Sequence, residues 1–332
     1  MPVRSGDEER DLLLLRVATL YHEQELTQQE VAERLHLTRW QVGRLLQEAR
    51  RTGIVRIEIV HPRARSHALE SELVSRTGLT AAVVVPPERD PVATRARVAG
   101  AAGELLADLK ESPGTLAVSW GRTMIDLAEQ IPPSWSDGTV VVQANAGLPL
   151  PGASNPGQVV AELARQARGT AVFLQAPAIV ESPDLAATLM GDASLRRVLD
   201  QAREADALLF SLGEPVGTSV LVEAGYLSAA EVERLVAQGA VGDVLGRFID
   251  SRGRPADPAI DARTVGLTLD EVRASRLPIA VAAGVAKTPA ALAAVTNGLC
   301  KILVTDEDLA AGLLASLPPE PPRPSRTTRS TS

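Results

Sequence analysis

Apolar residues in the first fifty positions recur at helical spacing, which predicts three helices packed on one another. A helix over residues 11–21 is expected to pack on the next two through Leu13, Val17 and Leu20. The second helix is expected to begin at Gln28 and to carry a short apolar face. The third carries a longer apolar stripe, formed by Val42, Leu45, Leu46 and Ala49. This pattern predicts a small N-terminal helical domain.

Capping residues mark the ends of the second and third helices. Thr27 and Glu30 have the spacing of a capping box, in which a hydroxyl and a carboxylate satisfy the first free amides of a helix. Thr38 is a candidate N-cap of the third helix, and Gly53 suits the position after its end, where a positive φ favours glycine. A turn of about three residues between the two helices is typical of a helix-turn-helix motif, whose second helix enters the DNA major groove.

The exposed face of the third helix carries residue types that contact DNA. Near its start, Arg suits guanine, Gln suits adenine, and Gly43 lets the backbone come close, whereas Arg residues further along suit phosphates. An apolar run over residues 55–59 predicts a strand with Arg56 on its solvated side, which would make the motif a winged variant. The predicted DNA-binding residues are Thr38, Arg39, Trp40, Gln41, Arg44, Arg50 and Arg51.

After residue 68 the pattern changes to short Val-rich runs that alternate with helical stretches. The runs predict strands at residues 81–85, 115–119, 139–143, 170–174, 207–211, 279–283 and 302–305. Helices are predicted over residues 69–76, 91–109, 124–130, 157–167, 194–205, 228–238, 269–275, 289–297 and 306–315. Continuous apolar strands separated by helices predict a mostly parallel sheet covered on both faces.

These patterns predict a two-domain chain of the α+β class, with a winged helix-turn-helix followed by a doubly wound α/β domain. The expected boundaries are a DNA-binding domain over residues 1–60, a linker over 61–68, an α/β domain over 69–317 and a disordered tail over 318–332. The linker carries Pro and charge without a period, and the tail is rich in Pro, Ser and Thr.

Charge distinguishes the N-terminal segment from the rest of the chain. Between Arg34 and Arg65 there are eight Arg and two Glu, a local balance of +6, whereas all 332 residues together carry −7. A basic stripe in an acidic protein indicates a face that binds nucleic acid. The alternative is that these arginines are only a solvated surface.

Composition excludes several other classes. Hydrophobic residues make up 45% of the chain, which is ample for a buried core. Cys300 is the only cysteine, so neither an intramolecular disulfide nor a Cys-based zinc site is expected. The polar N-terminus predicts no signal peptide, and no segment is long and apolar enough to span a membrane, so a cytoplasmic location is expected.

Polar and glycine-bearing segments follow several predicted strands, where ligands bind in open parallel sheets. Gly121, Arg122 and Thr123 lead directly into a helix, and together they suit a phosphate or carboxylate group. An ordinary N-cap turn is the alternative. Further loops begin at Asn145, Gln175 and Leu212. Each alone is typical of a turn, but at one sheet edge together they favour a ligand site.

Two charged residues extend this candidate site. Asp243 lies among apolar residues and could accept hydrogen bonds from sugar hydroxyls, or it could pair with Arg247 and only fix the segment. Lys287 follows Gly284 after another predicted strand, and the alternative is an ordinary surface lysine. Only three lysines occur in the chain.

Catalysis has little support in the sequence. No His, Asp and Glu cluster has metal spacing, and no nucleophile elbow is present. Three of the four His lie in or beside the N-terminal segment, and His67 lies in the linker region. We therefore predict no catalytic residue, no metal and no cofactor. Sugar-isomerase chemistry on Asp, Glu and Lys keeps an enzyme fused to a DNA-binding module as the alternative.

The chain resembles the bacterial SorC/DeoR-type transcriptional regulators, relatives of the central glycolytic gene regulator, over residues 12–315. The segments that carry the resemblance are LTQQEVAERLHLTRWQVGRLLQEARRTGIVRIEI, VSWGRTM, VVQANAG, QAPAIVES, GAVGDVLGRFID, VGLTLDEVR and VAAGVAKTPAALAAVTNGLCKILVTDE.

The resemblance implies a homo-oligomeric regulator, a dimer or a tetramer, that binds an operator in double-stranded DNA. It implies a C-terminal domain with the fold of sugar-phosphate isomerases, which binds a sugar or sugar-phosphate effector without turning it over. The effector-site residues that it implies are Gly121, Arg122, Thr123, Asn145, Asp243 and Lys287. The expected function is therefore transcriptional regulation controlled by a sugar-like effector.

Overall fold

A computed structural model describes residues 6–24, 26–55, 65–147 and 155–318. The chain divides into two compact units, Met1–His61 and Pro62–Ser332. The predicted wing beyond Val55, residues 61–64 of the predicted linker and the tail beyond Pro318 lie outside the described residues. No helix in the described part of the chain is long and apolar enough to cross a membrane.

The N-terminal unit contains three helices, α1 (Gly6–His22), α2 (Gln28–Leu35) and α3 (Arg39–Arg51). Their shared core contains Val17, Leu20, Val31, Val42 and Leu45 together with other buried apolar residues, as the sequence predicted. Leu13 packs against this core while partly buried, as predicted, and Leu14, which the sequence did not single out, is fully buried in it.

The predicted caps of α2 and α3 are confirmed. Thr27 and Glu30 form a complete capping box. Thr38 forms a second one with Gln41, and Gly53 has a φ of 79° just beyond α3. The turn between the helices comprises three residues and begins at His36, whose left-handed φ of 54° ends α2. Local hydrogen bonds therefore fix where both helices begin.

The second unit is built on a nine-stranded sheet with a mainly parallel core. Its strands are β1 (Ala81–Val85), β2 (Thr115–Val118), β3 (Val140–Gln143), β4 (Thr170–Val172), β5 (Ala207–Gly213), β6 (Gly242–Val244), β7 (Arg247–Ile249), β8 (Pro278–Val281) and β9 (Ile302–Asp306). Seven strands are parallel in the order β1-β9-β8-β5-β2-β3-β4, and the antiparallel hairpin β6-β7 is attached to β5.

Helices cover both faces of this sheet. They are α4 (His67–Thr77), α5 (Pro91–Ala107), α6 (Arg122–Gln130), α7 (Pro156–Gln166), α8 (Pro183–Gly191), α9 (Ala193–Arg203), α10 (Val220–Glu223), α11 (Ala229–Ala237), α12 (Pro258–Asp261), α13 (Leu269–Ala274), α14 (Thr288–Thr296) and α15 (Glu307–Ser316), and a 3-10 turn spans Val285–Lys287. The start of α4 at His67 lies two residues before the predicted helix.

Alternate residues of each central strand belong to separate cores. In β2, Ala117 joins the core under α4, α9, α14 and α15, whereas Leu116 and Val118 join the core under α5, α6 and α7. A strand that is apolar on both sides reads as a continuous hydrophobic run, which explains why the runs in the sequence predicted the strands.

The strand order reverses between β2 and β5. From β2 the chain proceeds through β3 to β4 at one edge, whereas β5, β8 and β9 lead towards β1 at the other. Neighbouring connections therefore leave the sheet in opposite directions at this point. Such a switch point opens a crevice beyond the carboxyl ends of the two strands, where open α/β sheets bind ligands.

Candidate functional site

A cavity of about 310 Å³ lies at this switch point. The segment after β2 forms one wall and the end of β5 the other. The β6-β7 hairpin, the turn after β8, the start of α5, the residue Asn145 after β3 and the segment that leads into α10 also line it. The residues that line it include Arg95, Ser119, Gly121, Arg122, Thr123, Asn145, Ser211, Glu214, Ser219, Asp243 and Lys287. All six residues predicted for the effector site therefore meet at one cavity, whereas the loop that begins at Gln175 does not line it.

The start of α6 provides the backbone amides of the cavity. Gly121 precedes the helix with a φ of 135°, a backbone conformation that residues other than glycine rarely adopt. No side chain caps the helix. Thr123 in the first turn is 4% exposed and lines the cavity. The first turn thus presents amides and a hydroxyl to a shared space, which suits an anionic group.

Arg122 has partners of its own across the cavity. Its Nη2 donates to the carbonyl oxygen of Thr218 over 2.9 Å, and its Nη1 lies 3.6 Å from a carboxylate oxygen of Glu223. The guanidinium therefore connects α6 to the segment that contains α10. An anion at α6 would compete with Glu223 for this side chain.

The backbone of Asn145 pairs with the chain segment that precedes α13. The backbone of Asn145 forms an antiparallel bridge with Gly266, and the amide of Leu267 donates to Ala144. A Cβ on Gly266 would lie 2.7 Å from the Asn145 Cα, so only glycine allows this approach. The Asn145 Oδ1 is buried and has no hydrogen-bond partner within the described part of the chain.

Asp243 lies against glycine on the neighbouring strand. A Cβ on Gly213 would come within 1.6 Å of a carboxylate oxygen of Asp243, so this pairing of β5 with β6 requires glycine. The carboxylate accepts a hydrogen bond from the amide of Gly246 over 3.1 Å. Removal from water nevertheless dominates and raises the pKa of Asp243 to about 6, against the effects of this hydrogen bond and of Lys287.

Lys287 lines the same cavity from the turn after β8. Burial lowers the pKa of Lys287, while the nearby carboxylates of Asp243 and Glu214 act in the other direction. The turn before it is fixed by buried Asp306, which accepts from the amide of Gly284 over 2.6 Å and caps α15 through Leu309. Lys287 is therefore partly buried, and its backbone is fixed. The alternative of an ordinary surface lysine does not describe it.

The suggested pairing of Asp243 with Arg247 is wrong. The Arg247 guanidinium is 2% exposed and binds Asp261 at 2.7 Å, together with the carbonyl oxygens of Leu267, Thr264 and Gly266. Alternation along the hairpin explains the difference, because Asp243 pairs with Phe248 and not with Arg247. Arg247 instead fixes the segment that holds Asn145.

Several polar residues of the cavity escaped the sequence analysis. Arg95 comes from α5 and binds Asp126 over 2.6 Å, and Ser119 accepts a long hydrogen bond from the Ser211 amide. Glu214 and Ser219 follow β5. Like Gly121, three of these residues lie at or just beyond the end of a strand, namely Ser119, Ser211 and Glu214. Arg95 lies within a helix, and its position in the sequence did not predict a ligand site. Within the described ranges no group of three or more His, Cys, Asp and Glu could hold a metal ion.

The N-terminal unit has a separate open groove along α3. Trp40 is 69% exposed, and the Arg44 guanidinium carbon lies 4.9 Å from the centre of a Trp40 ring. Arg10 pairs with Glu48 through two hydrogen bonds, which removes the one acidic side chain of α3 from competition with its arginines. The groove is lined by Tyr21, Gln28, Arg39, Trp40, Gly43, Arg44, Leu46, Gln47 and Arg50.

The predicted DNA-binding residues share the start and exposed side of this helix. Thr38, Arg39, Trp40, Arg44 and Arg51 are exposed, as are Gln41 and Arg50. Thr38 and Gln41 are also engaged with each other, because the Gln41 Oε1 accepts from the Thr38 amide and hydroxyl. Contact with DNA stays a prediction for all seven residues.

Comparison with known proteins identifies the family. Residues 61–315 match the family model described as "Putative sugar-binding domain". The chain is 33% identical over 306 residues to the transcriptional regulator LsrR of Enterobacter sp. (strain 638), a match that covers 91% of this chain and 93% of that protein. The chain belongs to the SorC/DeoR family of transcriptional regulators.

Other members of the SorC/DeoR family match along nearly their whole length. The deoxyribonucleoside regulator of Bacillus subtilis (strain 168) is 29% identical over 313 residues, which cover 94% of this chain and 100% of that protein. The crystal structure of the full-length sorbitol operon regulator SorC from Klebsiella pneumoniae covers 92% of this chain and 99% of its own, with a TM-score of 0.67 and 25% identity. These relatives are named as regulators and not as enzymes.

Proposed function

We propose that this SorC/DeoR-family regulator binds operator DNA through its N-terminal unit and binds a sugar or sugar-phosphate effector in the cavity between β2 and β5. The observation that carries this proposal is the meeting of Gly121, Thr123, Asn145, Asp243 and Lys287 at one cavity. These residues are far apart in sequence and include amides, a hydroxyl, a carboxylate and an ammonium group. Such a set matches a hydroxylated ligand with an anionic end.

In this proposal α2 and α3 form a helix-turn-helix motif, and α3 is the recognition helix. Arg39, Trp40 and Arg44 near its start contact base edges, whereas Arg50 and Arg51 contact phosphates. The exposure of these side chains and the Arg10–Glu48 pair support the assignment. DNA binding in turn implies that the protein acts in the cytoplasm.

The anionic end of the effector is assigned to the first turn of α6. Free amides and the Thr123 hydroxyl would bind it there, and Arg122 would leave Glu223 to join them. Asp243 and Lys287 would bind hydroxyl groups on the opposite side. The relatives support a ligand of this class, because one is named a sorbitol operon regulator and another a deoxyribonucleoside regulator.

The regulator is proposed to act as a homo-oligomer, a dimer or a tetramer. Dimer pairing presents two recognition helices to successive major grooves. An effector that binds the two states of the protein with different affinity then changes operator occupancy. A coupling free energy of about 1–3 kcal/mol is sufficient for a change of several-fold or more.

Fluorescence anisotropy of labelled DNA from upstream of its own gene tests the proposal, at fixed salt and with a panel of sugars and sugar phosphates. We expect tight binding to this DNA and a change in affinity of at least about fivefold with one member of the panel. Tight binding that no compound changes would remove the sugar effector from the proposal. Binding no tighter than to random DNA would remove the operator.

The shifted pKa values of Asp243 and Lys287 favour an isomerase-like enzyme as the second candidate. A carboxyl group with a pKa of about 6 beside an amine of lowered pKa is an arrangement that acid and base catalysis uses. Incubation of each binding compound with the protein, followed by NMR of the recovered compound, separates the two candidates. A regulator returns the compound unchanged, whereas an isomerase yields a mixture with its product.

A further inference from the structure

The hydroxyl group of Ser219 lies in the cavity wall and does not cap the helix that follows it. Ser219 precedes α10, and its Oγ makes no hydrogen bond to that helix. In five other helices the Ser or Thr at this position accepts a hydrogen bond from a backbone amide, namely Thr27, Thr38, Ser182, Ser228 and Thr268. The Ser219 side chain is therefore not explained by capping.

Burial makes this free hydroxyl significant. Ser219 is 7% exposed and lines the cavity, and its Oγ has no hydrogen-bond partner in the described part of the chain. Asn145 Oδ1 shares both properties, with Asn145 5% exposed. Buried polar atoms in native proteins nearly always have a partner, and one that lacks it costs free energy. Two such atoms at one cavity indicate that a ligand supplies the missing hydrogen bonds.

The segment that carries Ser219 is held in place on both sides of this residue. Arg122 binds the carbonyl oxygen of Thr218 at 2.9 Å and lies 3.6 Å from Glu223. The amide of Ser219 donates to Val216, and its carbonyl oxygen accepts from Val222 and Glu223. These contacts fix the backbone position of Ser219 in the cavity wall.

The chemistry of the two atoms restricts the ligand group that meets them. An amide oxygen only accepts hydrogen bonds, whereas a serine hydroxyl both donates and accepts. An ionised phosphate or carboxylate has no hydrogen to donate and would leave Asn145 Oδ1 unsatisfied. A hydroxyl group can satisfy either atom.

We infer that Ser219 Oγ and Asn145 Oδ1 bind hydroxyl groups of the effector, which makes Ser219 a residue that determines selectivity. The effector accordingly carries hydroxyl groups, and its anionic group, where present, lies away from Asn145 Oδ1. Compounds that differ by one hydroxyl are distinguished through Ser219. This inference rests on the proposed function, because it concerns the ligand of the same cavity.

Isothermal titration calorimetry of the full chain tests the inference. The first probes are ribose 5-phosphate, glucose 6-phosphate, glucitol 6-phosphate and the three unphosphorylated compounds. The tightest of these is then compared with its monodeoxy analogues. We expect Ser219→Ala to weaken binding of the parent compound by about tenfold, which corresponds to one lost hydrogen bond. One monodeoxy analogue is expected to bind wild type and Ser219→Ala equally.

Two further variants separate recognition from a structural role. Ser219→Thr retains the hydroxyl and is expected to distinguish the parent from that analogue as wild type does. Ser316→Ala removes an exposed serine hydroxyl at the end of α15 and is expected to bind every probe as wild type does. DNA binding and the melting temperature of each variant show that it is folded.

The outcomes are distinct. Equal affinity of wild type and Ser219→Ala for the parent compound overturns the inference and leaves the proposed function intact. An equal loss of affinity for the parent and all its analogues also overturns it, because the loss would then not depend on a hydroxyl of the ligand. Absence of binding by wild type to every probe overturns the proposed sugar effector itself, and the inference with it.

Discussion

Thr123 adds a nearly buried hydroxyl to the free backbone amides that the start of α6 presents to the cavity. We predict that Thr123→Ala abolishes the effector response and leaves DNA binding unchanged, because the hydroxyl is assigned to the anionic end of the effector. Loss of a hydrogen bond to a charged group typically weakens binding by about tenfold or more. Anisotropy titration of the operator with and without effector measures both quantities.

Thr188→Ala is the matched control, since it removes an exposed threonine hydroxyl in α8. It is expected to respond to the effector as wild type does. A normal response of Thr123→Ala would exclude α6 from the effector site.

Arg44 and Arg51 lie on one helix and are predicted to have different roles. Arg44→Ala is expected to cost about 1–3 kcal/mol on the preferred sequence and to relax preference at one base pair. Arg51→Ala is expected to weaken binding to all sequences alike and to lower the salt slope by about one. Binding to preferred and random DNA at several salt concentrations measures both effects.

Arg197→Ala provides the control for a lost positive charge, because Arg197 is exposed on α9 of the other unit. If Arg44→Ala and Arg51→Ala reduce binding to preferred and random DNA equally, the division between base and phosphate contacts is wrong.

The raised pKa of Asp243 predicts a pH-dependent stability. The carboxyl has a pKa of about 6 in the fold against 3.8 as its ordinary value, so the folded protein binds the proton more tightly. Ionisation therefore destabilises the fold as pH rises from about 4 to 6. A shift of about two units corresponds to at most about 3 kcal/mol. Asp243→Asn should melt at a higher temperature than wild type at pH 8 and at the same temperature near pH 4.

Asp184→Asn, an exposed carboxylate on α8, should show no such difference between the two pH values. A difference for Asp243→Asn that is independent of pH would show that the carboxyl group is not destabilised by burial.

At the scale of single residues, the sequence located the cavity better than it described its contacts. Gly121, Thr123, Asn145, Asp243 and Lys287 were found because each follows a predicted strand or matches the family resemblance. Their burial and partners depend on the packing of distant segments. Gly213 illustrates this, since only the pairing of β5 with β6 reveals why it must be glycine.

Among elements, the β6-β7 hairpin contributes to the cavity and also supports the segment that holds Asn145. Arg247 of β7 makes five hydrogen bonds to the segment before α13, which in turn holds Asn145. We predict that Arg247→Met lowers the free energy of unfolding by about 3–5 kcal/mol, because the partly buried Asp261 carboxylate and several carbonyls lose their partner. Urea denaturation measures the loss.

Arg254→Met is the matched control. Arg254 is exposed and pairs with Asp250 at 2.9 Å on the surface, so its loss should cost less than about 1 kcal/mol. Equal stability of the two variants would show that Arg247 does not support the fold.

Periodicity predicted the long elements and missed the short ones. The seven parallel strands were found because a strand buried on both sides is a continuous apolar run, and α5, α7, α9 and α11 were found from their helical spacing. By contrast, α10 and α12 have four residues each, and β6 and β7 have three. Such lengths contain less than one clear period, so their existence depends on tertiary contacts. The nine-residue α8 was also missed, and nothing in the structure explains this.

For the whole molecule, the family and the proposed dimer predict the geometry of the operator. Two identical recognition helices require half-sites about 10–10.5 base pairs apart, centre to centre, or a multiple of that distance. Insertion of five base pairs between the half-sites should abolish tight binding, and insertion of ten should restore part of it. Gel shifts with the original DNA fragment and the two fragments with insertions test the prediction. Affinity that is independent of the insertion would mean that each subunit binds alone.

The distribution of tryptophan gives this regulator three built-in optical reporters. Trp40 is exposed beside Arg44 on α3, Trp120 lies in the cavity wall, and Trp135 is buried in the sheet core. The chain has no other tryptophan. A water-exposed indole emits at longer wavelength than a buried one. Emission at the red edge should therefore follow DNA, and a ligand at Trp120 should change emission at the blue edge, where buried Trp135 adds a constant contribution, all without an added dye.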